Sequence, residues 1–175
     1  MKKLIGIIGF LMAAIVAASA FAQPAEPIER RRVSQMELDQ MLAPIALYPD
    51  ALLSQILMAA TYPRDVYQAA SWARVNRVSG QEAVRAVEQE PWDASVISLA
   101  AFPHVLAMME ERREWTERLG DAFLAQPEQV MDTVQELRRR AYDAGHLRTS
   151  NELYVERAGR DFMIESPPEE VYVPY

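Results

Sequence analysis

Prolines divide the central part of the chain into short segments, and four of them open stretches with the apolar spacing of a helix: Pro49, Pro63, Pro103 and Pro127. Proline suits the first turn of a helix and breaks a helix interior, because it lacks an N–H group and its ring clashes with the preceding turn. The four prolines are unequally spaced, which argues against a regular repeat architecture. The pattern predicts a mainly α fold, a compact array of about six to eight short helices.

Polar residues refine the predicted helix starts. Two Ser-x-x-Glu sequences, beginning at Ser34 and Ser79, match the capping box of a helix N-terminus. Asp50 and Asp93 follow or precede turn residues and are expected to act as N-caps. Residues 52–60 form a wide apolar stripe, so we expect that helix to lie at the centre of the core.

Glycines and basic residues refine the predicted helix ends. Gly120 is expected to end a long helix that begins at Pro103, and Gly145 to end the last helix. The run Arg138–Arg140 stands near that last end, where positive charge favours the helix dipole. We therefore interpret all three arginines as helix-end residues.

After Gly145 the apolar spacing changes from helical to alternating. Apolar side chains alternate with others around residues 153–155, 162–164 and 171–173. These three short strands are predicted to form a small C-terminal β meander packed on the helices. The sequence thus indicates one domain over residues 34–175, helical over 34–145 and with short strands over 146–175.

The first 22 residues have the pattern of a secretory signal peptide. Two lysines precede an uncharged apolar run of about 15 residues, shorter than the roughly 20 residues that a membrane-spanning helix needs. Ala20 and Ala22 fit the small-x-small requirement for cleavage, so we predict cleavage after Ala22. Cleavage after Ala20 and an uncleaved anchor are the alternatives. The predicted location is the periplasm, with release from the cell as a further possibility.

The chain beyond the predicted cleavage point is acidic and lacks lysine and cysteine. The full sequence has 18 Lys and Arg against 25 Asp and Glu, a net charge of −7. Negative charge argues against nucleic-acid binding, and the lack of lysine excludes Schiff-base and P-loop chemistry. Without cysteine there is no disulfide, thiol nucleophile or lipidated N-terminal cysteine. Residues 23–33, which include Arg30–Arg32, are predicted to form a flexible leader, and no later segment is long and apolar enough to span a membrane.

Several motifs in this chain resemble the bacterial domain of unknown function family 3300 (DUF 3300). They lie at residues 42–53, 59–63, 92–96, 101–103, 115–122, 126–127 and 171–175; the first reads LAPIALYPDALL and the last VYVPY. The resemblance extends from Met36 to Tyr175. It implies an exported protein of a Gram-negative bacterium, and it carries over no catalytic residue because the family has no assigned activity.

Residue types that commonly carry catalysis or bind metals are few. The two histidines, His104 and His146, stand in no zinc-binding motif, and no serine stands in a G-x-S-x-G sequence. We therefore predict no metal, no cofactor and no catalytic residue, and we expect binding rather than catalysis.

Three turns that combine aromatic, proline and acidic residues provide the candidate partner-binding residues: Tyr48, Pro49, Asp50, Tyr62, Pro63, Trp92 and Asp93. Aromatic side chains at helix ends can line a groove for a partner. The alternative is that they pack against the core.

These observations predict an exported cell-envelope protein that binds another envelope protein or the cell wall without catalysing a reaction. One alternative is a hydrolase of cell-wall glycan that uses carboxylates such as Asp50, Asp65, Glu90 and Asp93. A second alternative is a periplasmic chaperone with a methionine-rich surface around Met108–Met109. The oligomeric state is not predicted.

Overall fold

The structure is a computed structural model that describes residues 32–151 and 153–166. The described residues form eight α-helices and then one antiparallel β-hairpin. The elements are α1 (Gln35–Leu42), α2 (Asp50–Ala59), α3 (Pro63–Asn76), α4 (Gly80–Ala86), α5 (Ala94–Leu99), α6 (Pro103–Glu111), α7 (Arg113–Ala125), α8 (Pro127–Asp143), β1 (Tyr154–Ala158) and β2 (Asp161–Glu165). The predicted mainly α fold with a small C-terminal β element is confirmed.

Some predicted elements lie outside the described residues. These are the signal peptide, most of the leader, and the third strand around residues 171–173. Across the part of the chain that the structure describes, none of the helices combines the length and the apolar character needed to cross a bilayer.

Three of the four predicted proline starts are the first residues of their helices. Pro63, Pro103 and Pro127 begin α3, α6 and α8. At the first position of a helix an N–H group has no acceptor within the helix, so proline, which lacks this group, costs no hydrogen bond there. Pro49 instead precedes α2 and occupies its N-cap position. The division of the chain into short helices therefore follows directly from the positions of the prolines.

The predicted caps have mixed outcomes. Ser34 forms the predicted capping box with Glu37, and Asp93 caps α5 through its side chain. Ser79 stands before α4, but its hydroxyl makes no capping hydrogen bond, so that prediction is wrong. The start of α4 is fixed by its backbone instead, because the Gly80 N–H donates to the Ala101 carbonyl at 3.0 Å.

Helix α2 lies in the core, as its wide apolar stripe predicts. Leu53, Ile56, Leu57 and Ala59 are all buried, and α2 packs against α3, α5, α7 and β2. Helix α3 also packs on α6, and α1 packs on α8. Burial of one apolar side chain of this size contributes about 1.5–3 kcal/mol, so α2 supplies a large share of the core energy.

Gly120 was predicted to end a helix, and this prediction is wrong because Gly120 lies inside α7. A Cβ atom at this position would overlap the Ala60 carbonyl oxygen and lie 2.6 Å from its carbon, so only glycine lets α7 approach the end of α2 this closely. The predicted long helix breaks earlier, at Arg112, where φ is −113° and ψ is 53°. After the break, the Thr116 hydroxyl donates to the Met109 carbonyl at 2.8 Å and joins the two helices.

The β-hairpin is fastened to the helices along the outer edge of β2. Phe162 and Ile164 point inward and are buried. The Phe162 N–H donates to Gln135 Oε1 at 2.8 Å, and Arg138 Nη1 donates to the Phe162 carbonyl at 2.8 Å. The Ile164 N–H donates to Asp50 Oδ2 at 3.3 Å. Side chains from α2 and α8 thus occupy the backbone groups to which another strand would pair at this edge.

Asp50 and Arg138 have roles that differ from the predicted ones. Asp50 is the first residue of α2 rather than its N-cap, because its carboxylate binds Arg138 at 2.6 Å and the backbone of β2. Arg138 is only 1% exposed and also donates to the carbonyls of Ala46 and Tyr48, so it is not a helix-end residue. The two arginines that follow it in α8 are exposed and pair with carboxylates on α1 and α8.

Candidate functional site

The first predicted partner-binding turn, Tyr48-Pro49-Asp50, is occupied by structural contacts. The Tyr48 ring is half-buried against the core, and the Tyr48 carbonyl accepts a hydrogen bond from Arg138 at 3.1 Å. The Asp50 carboxylate is committed to Arg138 and to β2. This turn holds the hairpin on the helices.

The other two predicted turns are brought together at the start of α3. Asp65 in the first turn of α3 accepts a hydrogen bond from the Asp93 N–H at 3.0 Å. Trp92 Nε1 donates to Gln68 Oε1 at 2.9 Å, and the half-buried indole packs on the core. Tyr62 remains 43% exposed beside Pro63.

The three turns do not form one surface. Tyr48-Pro49 precedes α2 and Tyr62-Pro63 follows it, so they stand at opposite ends of a helix that is about 15 Å long. The structure therefore joins Tyr62-Pro63 with Trp92-Asp93 and separates both from Tyr48-Pro49-Asp50.

A concave surface among the described residues lies elsewhere, between α1 and α7. It consists of two adjoining depressions of about 440 Å³ and 620 Å³, in the size range of small-ligand sites. We call it the α1–α7 groove, and its lining residues are Arg32, Val33, Ser34, Glu37, Gln40, Met41, Glu114, Trp115, Arg118 and Asp121.

Glu37 is fixed at the centre of the groove by the capping box of α1. One carboxylate oxygen accepts hydrogen bonds from the Ser34 N–H and hydroxyl, both at 2.9 Å, and the other pairs with Arg118 Nη2 at 3.0 Å. The backbone hydrogen bond from Ser34, with help from its hydroxyl and from Arg118, holds the pKa of Glu37 below its ordinary value. Glu37 is therefore ionised at neutral pH and is a poor proton donor.

Trp115 forms the apolar wall of the groove. Its Nε1–H donates to the Met41 carbonyl at 2.9 Å, which fixes the half-buried indole between α7 and α1. An indole whose N–H is already paired offers mainly its apolar ring to a ligand.

Two further carboxylates on α7 give the groove a surplus of negative charge. Glu114, Arg118 and Asp121 follow one another at helical spacing along the groove. Arg118 is paired with Glu37. Among the contacts of residues 32–151 and 153–166, Glu114 and Asp121 have no ion-pair partner. The groove therefore suits a ligand that combines an apolar part with positive charge.

A second polar cluster joins α3 to α7 on the surface. The Tyr67 hydroxyl donates to Glu117 Oε1 at 3.2 Å, and the Arg113 guanidinium lies 4.4 Å from the centre of the Tyr67 ring. Burial, reinforced by Glu117, raises the pKa of Tyr67 to about 12, so the hydroxyl keeps its proton at neutral pH. This cluster fastens helices together and offers no reactive group.

Sequence reasoning did not identify the α1–α7 groove. It recognised Ser34 and Glu37 only as a helix cap, and Trp115 only as an apolar helix position and part of a family motif. No local pattern shows that Glu37 and Trp115 line the same groove, because they lie far apart in the chain. Within the described ranges no group of three or more His, Asp and Glu side chains converges in a way that would hold a metal ion.

Comparison with known proteins shows the family of this chain. The sequence model of the family "Protein of unknown function (DUF3300)" matches residues 34–175. The chain is 51% identical over 137 residues to "Uncharacterized protein YacH" of Escherichia coli (strain K12), an alignment that covers 77% of this chain and 22% of that relative. The chain thus spans less than a quarter of the relative's length, and no solved structure matches it. On the evidence of this match, which covers the capping box at Ser34 and both walls of the groove, the chain belongs to the DUF3300 family.

Proposed function

We propose that this chain is an exported cell-envelope protein that binds a protein or cell-wall ligand in the α1–α7 groove and catalyses no reaction. The groove itself carries the proposal. It combines a ligand-sized volume, a fixed aromatic wall at Trp115 and unpaired carboxylates at Glu114 and Asp121.

Binding is favoured over catalysis by the state of the acidic residues. Glu37 is ionised and doubly hydrogen-bonded, so it is unsuited to act as a general acid. Three of the carboxylates that the hydrolase alternative invokes have structural contacts instead: Asp50 binds Arg138, Asp65 binds the Asp93 backbone, and Asp93 caps α5. A hydrolase built on these three carboxylates would have to use residues that already hold the fold together.

The chaperone alternative receives less support. Met109 is fully buried and Met108 is half-buried, so the pair does not form the exposed methionine surface that adaptable client binding needs.

Export is proposed from residues 1–22, whose basic start, apolar run and small-residue ending are typical of a signal peptide. Mass spectrometry of the protein from the periplasmic fraction is expected to give Gln23 as the first residue. A cytoplasmic protein that retains Met1 or Lys2 would contradict this part of the proposal.

Site-specific photo-crosslinking in cells tests the groove. A photo-reactive residue at Gln40, an exposed position on the groove wall, is expected to capture a defined envelope partner or wall fragment. The control probe replaces Val75, which is 80% exposed on α3 and lies outside the groove. Charge reversal by Glu114→Arg is expected to abolish capture from position 40, whereas Glu88→Arg, an exposed position after α4, leaves it unchanged.

A second arm separates a wall ligand from a protein ligand. Purified chain is mixed with purified cell-wall sacculi, and the sedimented fraction is measured for the wild type, Glu114→Arg and Glu88→Arg. Loss of sedimentation in the first variant alone indicates a wall ligand. If the probe at Gln40 captures no more than the probe at Val75, and sacculi bind all three proteins equally, the groove is not the binding site.

A further inference from the structure

We propose that the α1–α7 groove takes an amphipathic α-helix of a protein partner. Basic residues seven positions apart on that helix pair with Glu114 and Asp121, and an apolar residue of the helix packs on Trp115. This inference rests on the proposed function, because it names the chemical class of the ligand for the same groove, a protein helix rather than a cell-wall fragment.

The two walls of the groove are joined across it by side chains. Arg118 on α7 pairs with Glu37 on α1 at 3.0 Å, and the Trp115 indole N–H on α7 donates to the Met41 carbonyl on α1 at 2.9 Å. These contacts fix the spacing of the walls, so both depressions are formed before a ligand arrives. A preformed groove lowers the free-energy cost of ordering on binding.

The charge of the groove favours a basic partner. Three carboxylates and two guanidinium groups line it, so a net negative charge remains. The charge of Arg118 is neutralised by Glu37. Glu114 and Asp121 are exposed and have no ion-pair partner within the described part of the chain. Basic side chains beside these two carboxylates are therefore attracted without breaking a contact of the fold.

The spacing of the two free carboxylates matches a helix better than an extended peptide. Glu114 and Asp121 are seven residues apart on α7, so they lie on one face of it, about 10 Å apart along the helix axis. Two residues seven positions apart on a partner helix alongside α7 have the same spacing and also share a face. In an extended peptide, side chains on one side recur at about 7 Å and about 13 Å, and neither distance matches.

Trp115 supplies the apolar contact that an amphipathic helix needs. The half-buried indole lines the depression of about 440 Å³ together with Gln40 and Met41, and its N–H is already paired, so the ring is the surface it offers. Residues three or four positions apart lie on the same face of a helix. One apolar residue can therefore fill this depression while its basic neighbour pairs with Glu114 at the edge, which is the helix-in-groove mode of peptide recognition.

Three designed helical peptides, built on one alanine-rich background, test the inference with the purified chain. The first, the heptad peptide, carries two lysines seven positions apart and a leucine between them. The second has the same composition with the lysines five positions apart, which places them on different faces of the helix. The third is the heptad peptide with serine in place of leucine. Binding is measured from the nuclear magnetic resonance signal of the Trp115 indole N–H in the ¹⁵N-labelled chain.

The heptad peptide is expected to bind about two- to five-fold more tightly than the second peptide, and about ten-fold or more tightly than the third. In a Glu114→Gln, Asp121→Asn chain the preference for the heptad spacing is expected to vanish, whereas a Glu88→Gln chain, altered at an exposed position after α4, keeps it. Equal binding of the first two peptides, a preference that survives loss of both carboxylates, or no shift with any peptide overturns the inference.

The segment captured by the probe at Gln40 in cells gives an independent result. Mass spectrometry is expected to place the crosslink in a partner segment with two basic residues seven positions apart and an apolar residue between them. If a partner segment without this pattern is captured, or if only sacculi bind in a Glu114-dependent way, the proposed function stands and the helix inference falls. If the heptad peptide binds as expected but nothing is captured and sacculi bind every variant equally, the groove recognises a basic helix and the proposed cellular function falls.

Discussion

Replacement of Arg138 by methionine tests the main tertiary contact of this fold. The guanidinium, 1% exposed, donates to the carbonyls of Ala46 at 2.8 Å, Tyr48 at 3.1 Å and Phe162 at 2.8 Å, and it pairs with Asp50 at 2.6 Å. Methionine has a similar length and packs well in a core, but it donates no hydrogen bond. The substitution therefore removes the hydrogen bonds while it conserves most of the volume.

The magnitude follows from the burial of the groups left behind. Ala46 and Phe162 are each 1% exposed, and a buried carbonyl that loses its donor costs about 1–3 kcal/mol. The Phe162 carbonyl keeps a longer hydrogen bond from Gln135 Nε2 at 3.4 Å, so the Ala46 carbonyl carries most of this cost. The Asp50 side chain is 43% exposed, so water can hydrate its carboxylate once Arg138 is replaced. Loss of the Arg138–Asp50 ion pair therefore costs less than the roughly 3–5 kcal/mol typical of a broken buried pair. We expect Arg138→Met to lower the free energy of unfolding by about 3–4 kcal/mol. For a domain of this size the melting temperature falls by roughly 6–16 °C.

The neighbouring arginine supplies the matched control. Arg139 is 48% exposed and pairs only with Glu136 and Asp143 on its own helix. Exposed pairs of this kind are worth about 0–1 kcal/mol, so Arg139→Met is expected to be nearly silent. Urea unfolding followed by circular dichroism measures both variants. Hydrogen exchange is expected to show that Arg138→Met exposes the amides of Phe162 and Ile164 first.

The reasoning is refuted if the two variants unfold within about 1 kcal/mol of each other. That result would mean that the three carbonyls find other donors, and that the hairpin is held by apolar packing alone. Faster exchange confined to the hairpin, without loss of global stability, would show that Arg138 supports only this element and not the core.

Two further predictions concern α7 and α8. Gly120→Ala is expected to destabilise the protein by about 1–3 kcal/mol in urea unfolding, because the new Cβ overlaps the Ala60 carbonyl, even though alanine favours a helix by about 1 kcal/mol. The control Ala107→Gly, at an exposed position of α6, measures the helix-propensity contribution alone. A Gly120→Ala protein that is more stable than the wild type would contradict the close approach of α7 to Ala60. Hydrogen bonds from Arg139 and Arg140 lower the pKa of Glu136 from 4.5 to about 2, so its contribution to stability is complete above about pH 4.5 and is lost as the pH falls toward 2. Glu136→Gln is expected to reduce the fall in melting temperature between pH 4.5 and pH 2. An unchanged fall would show that these ion pairs contribute nothing to stability.

Most predictions that depended on neighbouring residues succeeded, although the capping box predicted at Ser79 does not form. Prolines at Pro63, Pro103 and Pro127 start helices because the ring restricts the backbone whatever surrounds it. The capping box at Ser34 succeeded because its partner, Glu37, lies three residues away.

Predictions failed where a distant residue changed the role of a local pattern. Gly120 is an ordinary helix stop by sequence, but the backbone of Ala60 requires glycine inside the helix. Arg138 looks like the arginines that follow it, yet it points to carbonyls that precede α2. Nothing within a few residues of either position reports these contacts.

The sequence by itself determined the helical class, most helix starts, the alternation that gives the hairpin, and the family, because each depends on residue type and short spacing. Only the tertiary structure decided which residues form the groove, since α1 and α7 meet through Glu37, Arg118 and Trp115 across most of the helical region. It also decided which one of three identical arginines is buried. Long-range packing selects among residues that are equivalent in the sequence, because burial and hydrogen bonding depend on the surrounding elements and not on the neighbours in the chain.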